Sequence, residues 1–238
     1  MSHSIHGLTF NVVRDVQAPA LGSEGAAGID FYIPAYNKKN AVDIFVMNYL
    51  AYKQDFVTYV SVHFNYDRNQ FVPELQKVED LVTRVNAGTY QLTEDDYTFI
   101  FDYLDKSAVY RDEMNSTNAP YIELFPSQSL TIPSGVYAKF PKGMALLALN
   151  RGGVATKDKI VRGACLTDSD YQGEIFLQLY TYDQSGDSKK ISFGKKEIQL
   201  IYIPYVSEFS VEMNTPLDKF YLEKTSRGNG CLGSTDKK

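Results

Sequence analysis

The chain has no tryptophan, and in 238 residues only two cysteines and three histidines. Cys165 and Cys231 lie far apart and form no CxxC pair, which excludes a disulfide-stapled framework and suits a reducing cytoplasm. His3, His6 and His63 cluster with neither cysteine, so a structural zinc site is not expected. No apolar run is long enough to span a bilayer, and the first residues lack the basic and apolar regions of a secretory signal. Neither a membrane nor an export route is therefore expected. Positive charge is also scarce: 24 Lys and Arg face 29 Asp and Glu, for a net charge of -5. Bulk electrostatics do not draw such a chain to nucleic acid, so a polyanionic ligand must be held by a few placed cations or by a metal. What is abundant is tyrosine, phenylalanine and aliphatic side chains, with 44% hydrophobic residues, enough for one large core or two small ones.

The pattern of apolar residues divides the chain. Residues 8–16 and 29–33 alternate as strands do, separated by small residues at 18–28 that are expected to form neither strand nor helix. From about 35 to 118 the spacing becomes helical. Asn40 is a candidate N-cap for a stripe at Val42, Phe45, Val46, Tyr49 and Leu50. Residues 55–64 fit a strand or a helix end. Pro73 opens the clearest helix, 73–85, which has acids early, Arg84 late and Gly88 as its stop. Thr93, with Asp96 three residues on, forms a capping box for a helix over 94–104. These helices bear apolar faces at Leu75, Val78, Val82, Phe99 and Tyr103, which need something to pack on. After residue 118, short strands return at 129–132, 136–140, 143–149, 159–166, 175–182, 191–193 and 198–203, with Pro133-Ser134-Gly135 as one turn.

One stretch carries chemistry, Leu166-Thr167-Asp168-Ser169-Asp170-Tyr171-Gln172-Gly173-Glu174. On a strand, Asp168 and Asp170 would share a face, and two carboxylates side by side need a cation, a proton or a donor between them. A polar turn between strands is the plainer reading of the same residues. The glycine-rich end, 227–235, combines mobile amides, Arg227, Ser234 and Thr235, donors of the type that phosphate oxygens accept from.

Five pieces in order then become specific: Gly25-Ala26-Ala27-Gly28-Ile29-Asp30-Phe31, Arg151-Gly152-Gly153-Val154-Ala155, Asp168-Ser169-Asp170-Tyr171-Gln172-Gly173, Gln199-Leu200-Ile201 and the 227–235 end. The chain resembles the trimeric dUTPase family, over roughly 5–35 and 120–238. The resemblance implies a mainly β, jelly-roll or β-barrel core (1–35 plus 119–238) with a C-terminal arm; the mostly α-helical stretch at 36–118 departs from the family as an insertion between the first and second motifs. It implies a homotrimer with active sites shared between subunits, acting in the cytoplasm, or in a host's cytoplasm for a phage-encoded member. The implied reaction is Mg2+-dependent hydrolysis of dUTP to dUMP and pyrophosphate.

In that resemblance Asp168 is the base that activates water, and Asp30 holds Mg2+ through its water shell. Arg151, Gln199 and Arg227 clamp the phosphates, with Gly152 and Gly153 beside them. Tyr171 packs on deoxyribose, and Ser234 and Thr235 donate to the terminal phosphate. The departures fall mostly on base reading. Gly152 stands for the motif serine, Arg162 for an asparagine ahead of the base-reading hairpin, Cys165-Leu166-Thr167 for Gly-Val-Ile, and Leu232 for the stacking phenylalanine. Cys231 replaces a glycine, and Glu197 and Ile198 replace a small or apolar pair. Alternatives therefore stay open: a diphosphatase for another or modified pyrimidine deoxynucleotide, or a regulatory, partner-binding protein on the same fold. A deaminase of the related dCTP branch would need a glutamate-centred base site, for which no match is present. The insertion is either an elaboration packed on the core or a module for a protein partner.

Overall fold

Alternating apolar residues build the strands, and their partners are all antiparallel. The computed structural model describes residues 7–51, 68–106, 121–126, 129–206, 211, 214–220 and 223. Residues 1–205 form one unit and 206–238 another. In the first, β1 (Thr9–Val12) pairs with β6 (Val136–Lys139), and β4 (Tyr121–Leu124) with β11 (Lys189–Ser192). A three-stranded sheet runs β5 (Ser129–Pro133), β10 (Phe176–Thr181), β8 (Ile160–Arg162). The largest sheet has five strands in the order β2 (Ala20–Leu21), β3 (Ile29–Tyr32), β12 (Lys196–Pro204), β7 (Met144–Asn150) and β9 (Leu166–Thr167). The chain is thus mainly β, as expected. Period-2 burial explains the strands: in β10, Leu177, Leu179 and Thr181 are buried while Phe176 and Tyr180 face out. At the β5–β6 turn Gly135 has φ +77°, and a Cβ there would lie 2.8 Å from the Arg14 Cβ, so both conformation and space demand glycine.

Among the described residues, β3 is followed by the helices α1 (Lys38–Ala51), α2 (Arg68–Asn86) and α3 (Glu94–Lys106). Their starts differ in part from the sequence reading. The N-cap of α1 is Asn37, whose Oδ1 accepts the Asn40 N–H at 2.9 Å. Asn40 itself is buried and donates to the carbonyls of Asp15 (3.3 Å) and Ala35 (2.9 Å). Helix α2 begins before Pro73, which therefore lies inside it rather than at its first position. Its missing N–H leaves one carbonyl of the preceding turn without an intrahelical partner. The capping box of α3 is present: Thr93 N donates to Asp96 Oδ2 at 2.9 Å, and Asp96 N to Thr93 Oγ1 at 3.3 Å. The small-residue stretch at 18–28, expected to lack regular structure, contains β2, held because Ala20 and Leu21 pair with Asp30 and Ile29. The ambiguous 55–64 segment lies outside the described residues.

The helices bury Val42, Phe45, Val78, Val82, Ile100 and Leu104 in the same apolar cluster as Phe31, Ile132, Leu146 and Leu177 of the sheets. One contact fixes α1 to a strand edge. The Asn48 amide donates to Thr131 O and accepts from Thr131 N, both at 2.8 Å, and so takes the place of a neighbouring strand on β5. In the second unit the described residues include one short helix, α4 (Leu217–Phe220).

Candidate functional site

The strand register separates the expected site residues into two groups. The first lies on one face of the five-stranded sheet. Asp30 on β3 is paired across to Gln199 on β12, and Gln199 to Leu149 on β7. Arg151 follows β7 directly. Its Nε donates to Asp30 Oδ1 at 3.0 Å, and a second guanidinium nitrogen donates to the Lys196 carbonyl at 3.0 Å. Lys196 Nζ donates to the other oxygen, Asp30 Oδ2, at 2.8 Å. Gln199 donates to Asn150 O at 3.0 Å, and its Oε1 lies 2.5 Å from where a Cβ would stand on Gly28, so a side chain there would displace the Gln199 amide. A Cβ at Gly152 or Gly153 would meet nothing within 4 Å, so the backbone beside Arg151 is open on that side.

The second group surrounds a cavity of about 180 Å3 whose lining includes Cys165, Thr167, Asp168, Tyr171 and Phe176, with Ala148, Ile198 and Leu200 from the opposite sheet face. The chain leaves the strand after Thr167. Asp168 O accepts Tyr171 N at 3.1 Å, closing a turn, so Asp168 and Asp170 do not share a strand face as their spacing suggested. Tyr171 lies over Gly173, where a Cβ would meet the phenol oxygen at 2.3 Å, and its hydroxyl donates to Glu174 O at 2.8 Å. The Asp168 carboxylate is exposed and has no hydrogen-bond partner among the described residues.

Three strand spacings separate β3 from β9, and four residues of register separate the level of Asp30 from that of Asp168. At ~4.8 Å per strand and ~3.4 Å per residue, the two carboxylates are on the order of 20 Å apart. Within one chain the cationic group and Asp168 do not converge. Arg162 lies in neither group: its N–H donates to Asn150 Oδ1 at 2.9 Å, and its buried Nε has no partner. Arg227, Leu232, Ser234 and Thr235, with Cys231, lie outside the described residues.

The fit to magnesium can be tested on Asp30. Both its oxygens accept from cations, and Asp30, Arg151 and Lys196 together carry a net positive charge. No group of three His, Cys, Asp or Glu side chains converges among the described residues. With both oxygens engaged by Arg151 and Lys196 the arrangement suits an anion, and a water-mediated contact from Asp30 to Mg2+ would have to displace one of these cations.

Sequence reasoning missed Lys196. On a regular strand, residues three apart face opposite ways, so Lys196 would point away from Gln199. A bulge between Lys196 and Ile198 inserts one residue and returns Lys196 to the Gln199 face. The inserted residue is Glu197, whose Oε2 is buried without a partner. Burial, then repulsion by Asp158, pushes its carboxyl up to about 7, against the pull of Arg151 and Lys195. Between about 4.5 and 7 the folded protein keeps a proton that the unfolded chain releases. Stability from this group is therefore full below about 4.5 and is lost as pH rises through 7. Urea denaturation of Glu197→Gln near pH 5 and pH 8 should show a shallower loss with pH than wild type, by about 1–3 kcal/mol. Identical pH slopes would remove this role.

The dUTPase family model matches residues 117–236. The deoxyuridine 5'-triphosphate nucleotidohydrolase of Histophilus somni is 34% identical over 121 residues, 49% of this chain and 74% of that protein. The chain belongs to the dUTPase family. A Dictyoglomus turgidum protein of the same name is 33% identical over 108 residues, 44% of this chain and 68% of its own length. Among solved structures, a D95E mutant of the phage 80alpha dUTPase covers 98% of this chain and 99% of its own, at 12% identity and TM-score 0.50, a likeness of fold. A D95N mutant dUTPase from phage phi11 of S. aureus, described with a structural Mg(II) ion, covers 87% and 97% at 12% identity and TM-score 0.46. The dUTPase match takes in Arg151, Asp168, Tyr171 and Gln199, whereas Asp30 and helices α1 to α3 precede it. No helix among the described residues is long and apolar enough to cross a membrane.

Proposed function

We propose that this dUTPase-family chain hydrolyses dUTP to dUMP and pyrophosphate, and that Asp168 is the base. The observation that carries the reading is the cavity joining Asp168 and Tyr171. At about 180 Å3 it is smaller than the roughly 300–1,000 Å3 pockets of drug-sized ligands. In this reading the base and sugar enter it and the phosphates stay outside. Asp168 takes the proton of the attacking water as oxygen bonds to the α-phosphorus; the bond to the leaving pyrophosphate breaks, and its electron pair departs with that group. Tyr171, pinned by Glu174 O, packs on deoxyribose and crowds a 2'-hydroxyl. Arg151 and Gln199, with the amides of Gly152 and Gly153, stabilise charge on the phosphates, and Lys196 joins them. Arg227, Leu232, Ser234 and Thr235 form the closing arm.

The ~20 Å between Asp30 and Asp168 supports a shared site in a homotrimer, in which the clamp of one copy serves the cavity of another. The exposed aromatic residues Phe176 and Tyr180 on β10, with Tyr182 just beyond it, fit an interface between copies. Magnesium bound to the triphosphate would neutralise phosphate charge beside Arg151 and Lys196. In the same proposal, 36–118 is a helical insertion in a core of 1–35 and 119–238, open to a protein partner, and the protein works in the cytoplasm without nucleic acid or membrane.

A different pyrimidine is the second reading, favoured by Gln178. Its Oε1 accepts the Ala164 N–H at 2.8 Å, so that amide is not free to read a base edge. Pyrophosphate release across dUTP, dTTP and dCTP separates the readings. A clear preference for dUTP is expected. Faster release from another pyrimidine overturns uracil specificity, and release from none overturns the hydrolase.

A further inference from the structure

Glu174 ends the Asp168–Tyr171 loop and is the point where this loop meets the helices. Its backbone oxygen accepts from the Tyr171 hydroxyl at 2.8 Å, and its Oε1 accepts from Gly135 N at 2.6 Å. Its carboxylate is gripped by Arg14 through two parallel bonds, Nε to Oε1 at 2.8 Å and a second guanidinium nitrogen to Oε2 at 3.0 Å. The remaining guanidinium nitrogen donates to Asp43 on α1, and Asp43 Oδ1 accepts from the Tyr97 hydroxyl on α3 at 2.7 Å. Arg14, Asp43 and Glu174 are largely shielded, with side-chain exposures of 15%, 17% and 10%. Burial opposes the Arg14 charge, but the bonds to Glu174 and Asp43 outweigh it and hold the guanidinium above its usual range. All three Arg14 nitrogens are therefore committed, and the planar fork fixes where Glu174 can sit.

We propose that Asp43 and Tyr97 are positioning residues of the active site: through Arg14 and Glu174 the helices set the place of Tyr171 against the bound sugar. The inference rests on the reading of Tyr171 and Asp168 given above. Without Asp43, Arg14 keeps Glu174 but loses the bond that fixes its own plane, and the loop gains freedom. Misplacing a contact by a fraction of an ångström weakens binding without removing any group that touches substrate. Arg14, Asp43 and Tyr97 line an open cavity of about 890 Å3, so water can enter where a side chain is cut back. The variants are expected to fold.

The test is steady-state pyrophosphate release from dUTP by the full chain, wild type, Asp43→Ala and Tyr97→Phe, each also in a Tyr171→Phe background, with melting curves for all. Tyr171→Phe keeps the ring and removes only the bond to Glu174. Asp43→Ala should raise KM about five- to twentyfold and Tyr97→Phe about two- to threefold, with kcat changed less. In the Tyr171→Phe background both increases should largely vanish, because the link they act through is already cut. An unchanged KM in folded variants, or the same fold-increase in both backgrounds, overturns the proposal. If Asp43→Ala fails to fold, Tyr97→Phe decides by the same two criteria. Asp168→Asn is run beside them: turnover retained there indicts the reading of the site, whereas its loss together with additive Asp43 effects indicts this inference alone.

Discussion

Replacing Asp168 by asparagine will slow pyrophosphate release by about 10²–10⁴ and leave dUTP binding within a few-fold of wild type. The carboxamide has the shape of the carboxylate but cannot take a proton. Asp168 is exposed and has no hydrogen-bond partner among the described residues, so the change leaves no buried group unpaired. Its effect on stability should stay within about 0.5 kcal/mol. That combination separates chemistry from folding: binding measured by calorimetry with a non-hydrolysable dUTP analogue should persist while turnover disappears. Turnover near wild type would sink the role given to Asp168, and loss of binding with turnover would make it a substrate contact instead. Gly173→Ala acts on the same loop by another route, since its methyl would displace the Tyr171 ring.

The periodic parts of this fold were legible because each rests on a local cause. Leu177 and Leu179 alternate with outward residues, and Thr93 and Asp96 sit at capping-box spacing, so β10 and the start of α3 could be placed from the sequence. The start of α1 was misplaced because Asn37 and Asn40 are equally good caps; the choice is made by the buried carbonyls of Asp15 and Ala35, which claim the Asn40 amide. Asp30, Arg151 and Gln199 could be grouped by motif order. That Lys196 joins them could not be seen, since it depends on one inserted residue in β12. The reach of Glu174 to Arg14 spans 160 positions and leaves no local pattern at all.

Asp30 yields the other strong expectation. Asp30→Asn should weaken dUTP binding about tenfold and lower stability by about 1–3 kcal/mol, whatever the magnesium concentration. The wild-type side chain is 7% exposed and its carboxylate accepts from two cations at 3.0 and 2.8 Å. An asparagine offers one neutral oxygen and a donor that faces a donor. Arg151 and Lys196 then repel without a shared counter-charge and lose the orientation that aims them at an anion. Their side chains are 27% and 39% exposed, so water offsets part of the loss, and the cost stays below that of breaking a fully buried pair. A residue that held magnesium through its water shell would behave otherwise: its loss would be repaired by raising the metal concentration, and the melting temperature would barely move. A magnesium titration of wild type and Asp30→Asn, followed by both KM and thermal denaturation, therefore distinguishes a carboxylate that organises cations from one that anchors a metal. Recovery of KM at high magnesium would return Asp30 to the metal. A persistent defect with a lowered melting temperature would make Arg151 and Lys196 the groups that allow an acidic protein to hold a triphosphate.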